Sequence, residues 1–189
     1  MVNATVIHGN AVEEMAKFED AKFDAIITDP MYDLSMDEMK ALLAEFRRLT
    51  LGTIIIFGAP ENQWPKPEQF CFWTKPISTK NTVKHYSRFV EVIHVYDGPA
   101  SRWNPGRNWA NYVNVFPDYV EANAEHPFQK PVSLMERLVL NHTIEGSLIL
   151  DPFCGSGTTL VAAQRNGRNS YGIEAQDKYV DVAKKRLGI

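Results

Sequence analysis

The chain has 189 residues, 44% apolar and 23% charged, with 20 Lys plus Arg against 23 Asp plus Glu for a net charge of −3. That is the make-up of one soluble domain with room for a sizeable core, and no apolar run approaches the roughly 18–20 residues of a membrane helix. Cys71 and Cys154 lie far apart, which argues against a dithiol centre, a zinc site or a disulfide framework. The first ten residues lack a cationic start followed by an apolar segment, so the expected location is cytoplasmic.

In chain order, an apolar run at 5–7 predicts a strand and the pattern over 11–18 a helix. A strand at 25–27, a helix at 36–49 and a strand at 53–57 follow. The run at 89–96 is long enough for a buried or antiparallel strand near an edge. Between 97 and 131 the pattern fails on Pro99, Pro105, Pro117, Pro127 and Pro131, which reads as a functional loop region inserted into the domain. The remainder predicts a helix at 132–140, a strand at 148–150, a helix at 158–164, a strand at 170–173 and a helix at 178–187. Alternation of this kind gives a mainly parallel sheet with helices on both faces.

Charge changes sign along the chain. Residues 1–50 hold ten acids against five bases, a net of −5. From Lys75 to Arg107 the bases Lys75, Lys80, Lys84, Arg88, Arg102 and Arg107 outnumber Glu91 and Asp97, a net of +4, with His85, Tyr86, His94 and Trp103 among them. Cations interleaved with aromatics suit a nucleic-acid backbone; a solvated basic loop has the same composition.

In parallel α/β folds ligands bind beyond the carboxyl ends of strands, and three segments stand there. Leu148-Ile149-Leu150 runs into Asp151-Pro152-Phe153-Cys154-Gly155-Ser156-Gly157 and a helix from Thr158, and Glu174 ends the next strand 17 residues after Gly157. A glycine turn, a helix N-terminus and an acid at about 20 residues together favour an adenosine-containing cofactor. Ala25-Ile26-Ile27-Thr28 runs into Asp29-Pro30-Met31-Tyr32. Such a turn can cap a helix, or it can clamp a planar amine: the Asp29 carboxylate and Pro30 carbonyl accept its two N–H bonds while Tyr32 stacks on the ring. The third segment is His126-Pro127-Phe128-Gln129-Lys130-Pro131, a proline-bounded turn with a lysine.

With these pieces in place the chain resembles the DNA amino-methyltransferases, the S-adenosylmethionine enzymes that methylate adenine N6 or cytosine N4. Asp-Pro-Met-Tyr is similar to their Asp-Pro-Pro-Tyr catalytic motif, Asp-Pro-Phe-Cys-Gly-Ser-Gly-Thr-Thr to their cofactor loop, and His-Pro-Phe-Gln-Lys-Pro to the segment preceding it. Phe72-Trp73-Thr74-Lys75-Pro76 and the run from Arg88 to Tyr96 containing Glu91 extend the likeness. The order, catalytic motif first and cofactor loop last, resembles the permuted β group.

The resemblance implies a Rossmann-like methyltransferase fold, a doubly wound, mainly parallel sheet with an antiparallel edge strand. Residues 1–189 would form one domain, with a short target-recognition region inserted at about 97–125. It implies Asp29, Pro30 and Tyr32 as catalytic residues. Asn10, Asp29, Lys130, Asp151, Phe153, Gly155, Ser156, Gly157, Thr158 and Glu174 would line the cofactor site, Glu174 on the ribose, Lys130 and Asp151 near the methionine and Asn10 beside the adenine. The cofactor would be S-adenosylmethionine, with no metal, and the partner DNA, with a homodimer by analogy and a restriction-modification role among the options.

Two positions depart from the family pattern. Met31 replaces the second proline, which keeps the Pro30 carbonyl but loosens the turn. Asn10 stands where Asp is frequent, and its side-chain oxygen can still accept a hydrogen bond. Asp at position 29 favours adenine N6 over cytosine N4. An RNA base, a protein amide, or a weakly active subunit that supports a partner remain alternatives. Covalent attack on cytosine carbon and zinc deamination lack their Pro-Cys, His-x-Glu and Pro-Cys-x-x-Cys residues.

Overall fold

A computed structural model describes residues 2–59, 64–75, 90–104, 114–118 and 129–189. The first segment forms β1 (Ala4–His8), α1 (Ala11–Met15), β2 (Phe23–Thr28), α2 (Met36–Leu49) and β3 (Thr50–Gly58). Three further strands follow, β4 (Gln69–Thr74), β5 (Val90–Tyr96) and β6 (Val115–Pro117). The last segment forms α3 (Val132–His142), β7 (Leu148–Asp151), α4 (Thr158–Arg165), β8 (Asn169–Glu174) and α5 (Asp177–Leu187). None of the described helices is long and apolar enough to cross a membrane.

Local chemistry accounts for the best-defined helix. Ser35 caps α2 by accepting the Glu38 N–H, and the Glu38 carboxylate accepts the Ser35 N–H at 2.8 Å, a reciprocal capping box. Asp37 and Glu38 sit at its positive end and Arg47 and Arg48 at its negative end. Met39, Leu42, Leu43, Phe46 and Leu49 make its buried stripe.

The strands form one sheet in the order β1-β8-β7-β2-β3-β5-β4-β6. Neighbours are parallel except for β5, which runs antiparallel to both β3 and β4. Alternation along the central strands feeds two layers. Ile26, Ile54 and Ile56 join the buried stripes of α1 and α2, while Ile27, Ile55 and Phe57 join Leu134, Met135, Leu138 and Val139 of α3 and Ala162 and Ala163 of α4. Leu187 of α5 packs with Leu160 and Val161 of α4.

The mixed, mostly parallel α/β sheet is the expected class, with three local corrections. The antiparallel strand lies two strands in from the edge, because β4 and β6 extend the sheet beyond it. Neither shows polar-apolar alternation: in β4 the inward Cys71 and Trp73 are flanked by Phe70 and Phe72, so both faces read as apolar. The segment expected as loop from 97 to 131 therefore contributes a strand, with Phe116 in the core.

Connections run from β7 through α4 to β8 on one side, and from β2 through α2 to β3 on the other. The direction of winding reverses between β7 and β2, the place where such sheets open a crevice at their carboxyl edge. Because β5 runs backwards, it is its first residues that reach this same edge, where Val92 pairs with Gly58 at the end of β3.

Candidate active site

A cavity of about 990 Å³ opens at that edge, at the upper end of the roughly 300–1,000 Å³ usual for small-molecule sites. Asn10, Asp29, Pro30, Tyr32, Lys130, Asp151, Phe153, Gly155, Ser156, Thr158 and Glu174 all line it. Three segments far apart in sequence thus meet around one space.

Asp151, the last residue of β7, pins the floor. Its carboxylate accepts the Thr28 hydroxyl at 2.8 Å, the Thr159 hydroxyl at 2.6 Å and the Phe153 N–H at 3.2 Å. This joins the ends of β7 and β2 to the start of α4. Burial pushes the Asp151 carboxyl up to about 6 against these bonds.

The glycine turn follows. Gly155 adopts φ +51° and donates its N–H to Glu174 at 3.0 Å, while the other Glu174 oxygen accepts the Gln176 N–H at 2.7 Å. Each oxygen keeps a lone pair for a further donor such as a sugar hydroxyl. Ser156 donates to Gln129 at 2.8 Å, and Arg186 of α5 donates to the Ser156 carbonyl at 2.8 Å and to Thr158 Oγ1 at 3.1 Å. The lysine-bearing segment and the last helix therefore both hold the loop. Gly157 is the exception among the expected ligand residues: at φ +78° it packs on α5, where an added Cβ would stand 3.0 Å from Ala183 Cβ, and it does not line the cavity. Asn10 lines it, but its side-chain oxygen caps α1 by accepting the Val12 and Glu13 N–H groups at 2.9 and 3.3 Å. What Asn10 can offer a ligand is its NH₂ group, a donor where an acceptor was expected.

A cluster of charges adjoins the cavity, Asp29, Tyr32 and Lys130 in its lining and Glu91 and Lys75 outside it. Lys130 is 6% exposed and bonds to Asp29 Oδ2, with Glu91 Oε2 at 3.2 Å. Lys75 pairs with Glu91 at 2.5 Å and lies 4.5 Å over the Trp73 ring. The Tyr32 hydroxyl shares its one proton between an Asp29 oxygen at 3.1 Å and a Glu91 oxygen at 3.3 Å. Burial raises the Asp29 carboxyl while Lys130 opposes that shift; Lys130 and Lys75 hold the Glu91 carboxyl below its ordinary range despite its burial. The two carboxylates keep Lys130 charged against its desolvation, and burial together with both acids holds the Tyr32 phenol neutral. Met31, 64% exposed, stands at the rim.

Of the six basic residues expected to face nucleic acid, two, Lys75 and Arg102, lie among the described residues. Lys75 is committed to Glu91. Arg102 lies at the opposite edge, beside the starts of β2 and β3 at Phe23, Leu51 and Gly52; Ala100 returns the chain to that edge by donating to the Leu51 carbonyl at 2.8 Å. Lys80, Lys84, Arg88 and Arg107, like His126, Pro127 and Phe128, fall outside the described residues. Sequence reasoning passed over Thr28, Glu91, Thr159 and Arg186. Only Thr159, inside the cofactor-loop motif, and Glu91, inside a run that shares the family likeness, carried any signal.

Comparison with known proteins agrees with this geometry. The family model described as DNA methylase matches residues 66–185. The type II methyltransferase M2.DpnII of Streptococcus pneumoniae is 56% identical over 63 residues, 33% of this chain and 24% of that protein. The DNA adenine methyltransferase YhdJ of Escherichia coli (strain K12) is 27% identical over an alignment spanning 98% of this chain and 83% of its own. Among solved structures, the M1.HpyAVI–SAM complex superposes with a TM-score of 0.81 at 28% identity, covering 97% of this chain and all of that one. The PvuII cytosine-N4-specific DNA methyltransferase, at 15% identity and a TM-score of 0.77 over 99% of this chain and 87% of its own, shares the fold. With the family model covering well over half of its length, the chain belongs to the N6/N4 DNA methylase family.

Proposed function

We propose that this protein transfers a methyl group from S-adenosylmethionine to the exocyclic amine of a DNA base, adenine N6 in preference to cytosine N4. The observation that carries the reading is the meeting of Asp29-Pro30-Tyr32 with the glycine turn and Glu174 around one cavity at the sheet's switch point.

The residues present fit such a cofactor: Glu174 has acceptor capacity left, Gly155 lets the backbone approach, and the cavity has sufficient volume. Bound there, S-adenosylmethionine supplies an electrophilic methyl on a sulfonium. Glu174 would hold the ribose hydroxyls, Phe153 and Gly155 would line the adenosine, and Lys130 and Asp151 would flank the methionine end. An aromatic amine is a weak nucleophile because its lone pair is delocalised into the ring. Asp29 and the Pro30 carbonyl accept its N–H bonds and restore that lone pair, and Tyr32 stacks on the base, worth about 1–3 kcal/mol towards the cost of flipping it out. Asp29 need not be a strong base, since the nitrogen proton becomes acidic once the methyl has arrived. Catalysis then rests on alignment and hydrogen bonding. The adenine preference rests on Asp at position 29 and on the name of YhdJ as an adenine methyltransferase. Reading of the target sequence is assigned to the region at about 97–125.

Expression in cells lacking DNA methylation, followed by nucleoside mass spectrometry of their DNA, tests the reading. N6-methyladenine is expected, and Asp29→Ala is expected to lower it by about 100-fold or more while the protein still folds. N4-methylcytosine would reassign the base, and full methylation by Asp29→Ala would overturn the mechanism.

A further inference from the structure

Two carboxylates share one ammonium beside the cavity, and the base clamp uses only one of them, Asp29, which lines it. Lys130 is almost wholly buried between Asp29 and Glu91, and the Tyr32 hydroxyl bridges the same two acids. An amine that bonds to Asp29 competes there with Lys130 on Oδ2 and the Tyr32 hydroxyl on Oδ1. A buried ammonium stripped of its partner is strongly unfavourable, so any weakening of the Lys130–Asp29 pair by the base calls for a second anion beside Lys130. Glu91 is already there, on the strand whose reversed direction brings its first residues to the cavity edge, and it is fixed in place by Lys75.

We propose that Glu91 is a positioning residue for methyl transfer: it is the second seat that keeps Lys130 and the Tyr32 hydroxyl bonded when Asp29 turns to the target amine. The inference rests on the function proposed above. It makes the charge cluster an exchange site, in which Asp29 gives up part of its hold on Lys130 to a neutral amine while Lys130 and Lys75 share Glu91. Without Glu91, Lys130 stays on Asp29 and competes with the base.

Because Glu91 acts through Lys130, a double-substitution cycle isolates its role. Initial rates of tritiated methyl transfer to unmethylated genomic DNA are measured for wild type, Glu91→Gln, Glu91→Asp, Lys130→Met and the Glu91→Gln/Lys130→Met pair, with S-adenosylmethionine affinity by calorimetry and thermal melting of each. Glu91→Gln is expected to lower kcat by about tenfold or more while cofactor affinity stays within about twofold. Glu91→Asp, which keeps the charge, is expected to recover most of the loss. In the Lys130→Met background the Gln substitution is expected to cost less than about threefold. An equal cost in both backgrounds, an unaffected Gln variant, or a Gln variant without a cooperative melt overturns the proposal. A wild-type chain that binds the cofactor but methylates no DNA overturns the functional reading beneath it, and this proposal falls with it.

Discussion

From β1 to β2 the strands deliver their final residues to the cavity, Glu174 from β8 and Asp151 from β7, with Asn10 and Asp29 just beyond β1 and β2. Beyond β3 the delivery is different: Glu91 comes from the beginning of a strand that runs backwards, and Lys75 from the residue after its neighbour. The first half is repetitive, so each strand end poses the same question of the sequence. The second half places charges by topology. The residues at the parallel strand ends can be read from motifs because parallel strands give every motif the same address, whereas Glu91 reaches Lys130 through a reversal that no short motif encodes.

The largest effect expected on the first half comes from its pin. Asp151 titrates near 6 in the fold against 3.8 as a free carboxyl, chiefly through burial. Below pH 4 the group is protonated in both states; between about 4 and 6 only the unfolded chain ionises, so stability falls as pH rises, by about 3 kcal/mol at roughly 1.4 kcal/mol per unit. An uncharged Asn avoids that penalty. The stability of Asp151→Asn relative to wild type should therefore improve by about this amount from pH 4 to 7 in paired urea titrations. A difference that stays flat across the range would show that Asp151 does not carry this burial.

A second, smaller test concerns close packing in the same half. An alanine methyl at Gly172 would stand 2.7 Å from Cys154 Sγ and 2.8 Å from Leu160 Cδ2, closer than side chains approach. Gly172→Ala should cost about 2 kcal/mol as overpacking, and adding Cys154→Ala should recover part of it by removing the nearer atom. If the pair is no more stable than Gly172→Ala alone, the sulfur is not the obstacle.

How much was legible follows the same division. The helix over residues 36–49 was visible because its apolar stripe and its cap agree. The strands ending at Thr28, Asp151 and Glu174 showed as β-branched runs followed by turn residues, and the site residues came with them. Strands β4 and β6 were missed because aromatics on both faces hide a period of two and because a three-residue strand has no period at all. The oxygen of Asn10 looked available because a side chain does not announce that it caps a helix. Gly157 looked like a ligand residue, since a glycine needed for its neighbour's helix and one needed for a cofactor carry the same letter. The sharing of Lys130 by two acids was beyond sequence: Glu91 and Asp29 are 62 positions apart, and only the sheet order brings them together.

The smallest expected effect is the one that separates charge composition from charge position. Arg102 belongs to the basic stretch that suggested a nucleic-acid surface, yet it lies at the amino edge of the sheet among Asp24, Leu51 and Gly52, across the domain from Asp29. Removing a cation that pairs with a DNA phosphate reduces the slope of affinity against salt by about one unit. Arg102→Ala should leave both DNA affinity and that slope unchanged, measured by fluorescence anisotropy on labelled duplex across a salt series. A reduced slope would mean that DNA reaches round to the amino edge. The division between a ligand-bearing carboxyl edge and a structural amino edge would then hold for the cofactor but fail for the nucleic acid.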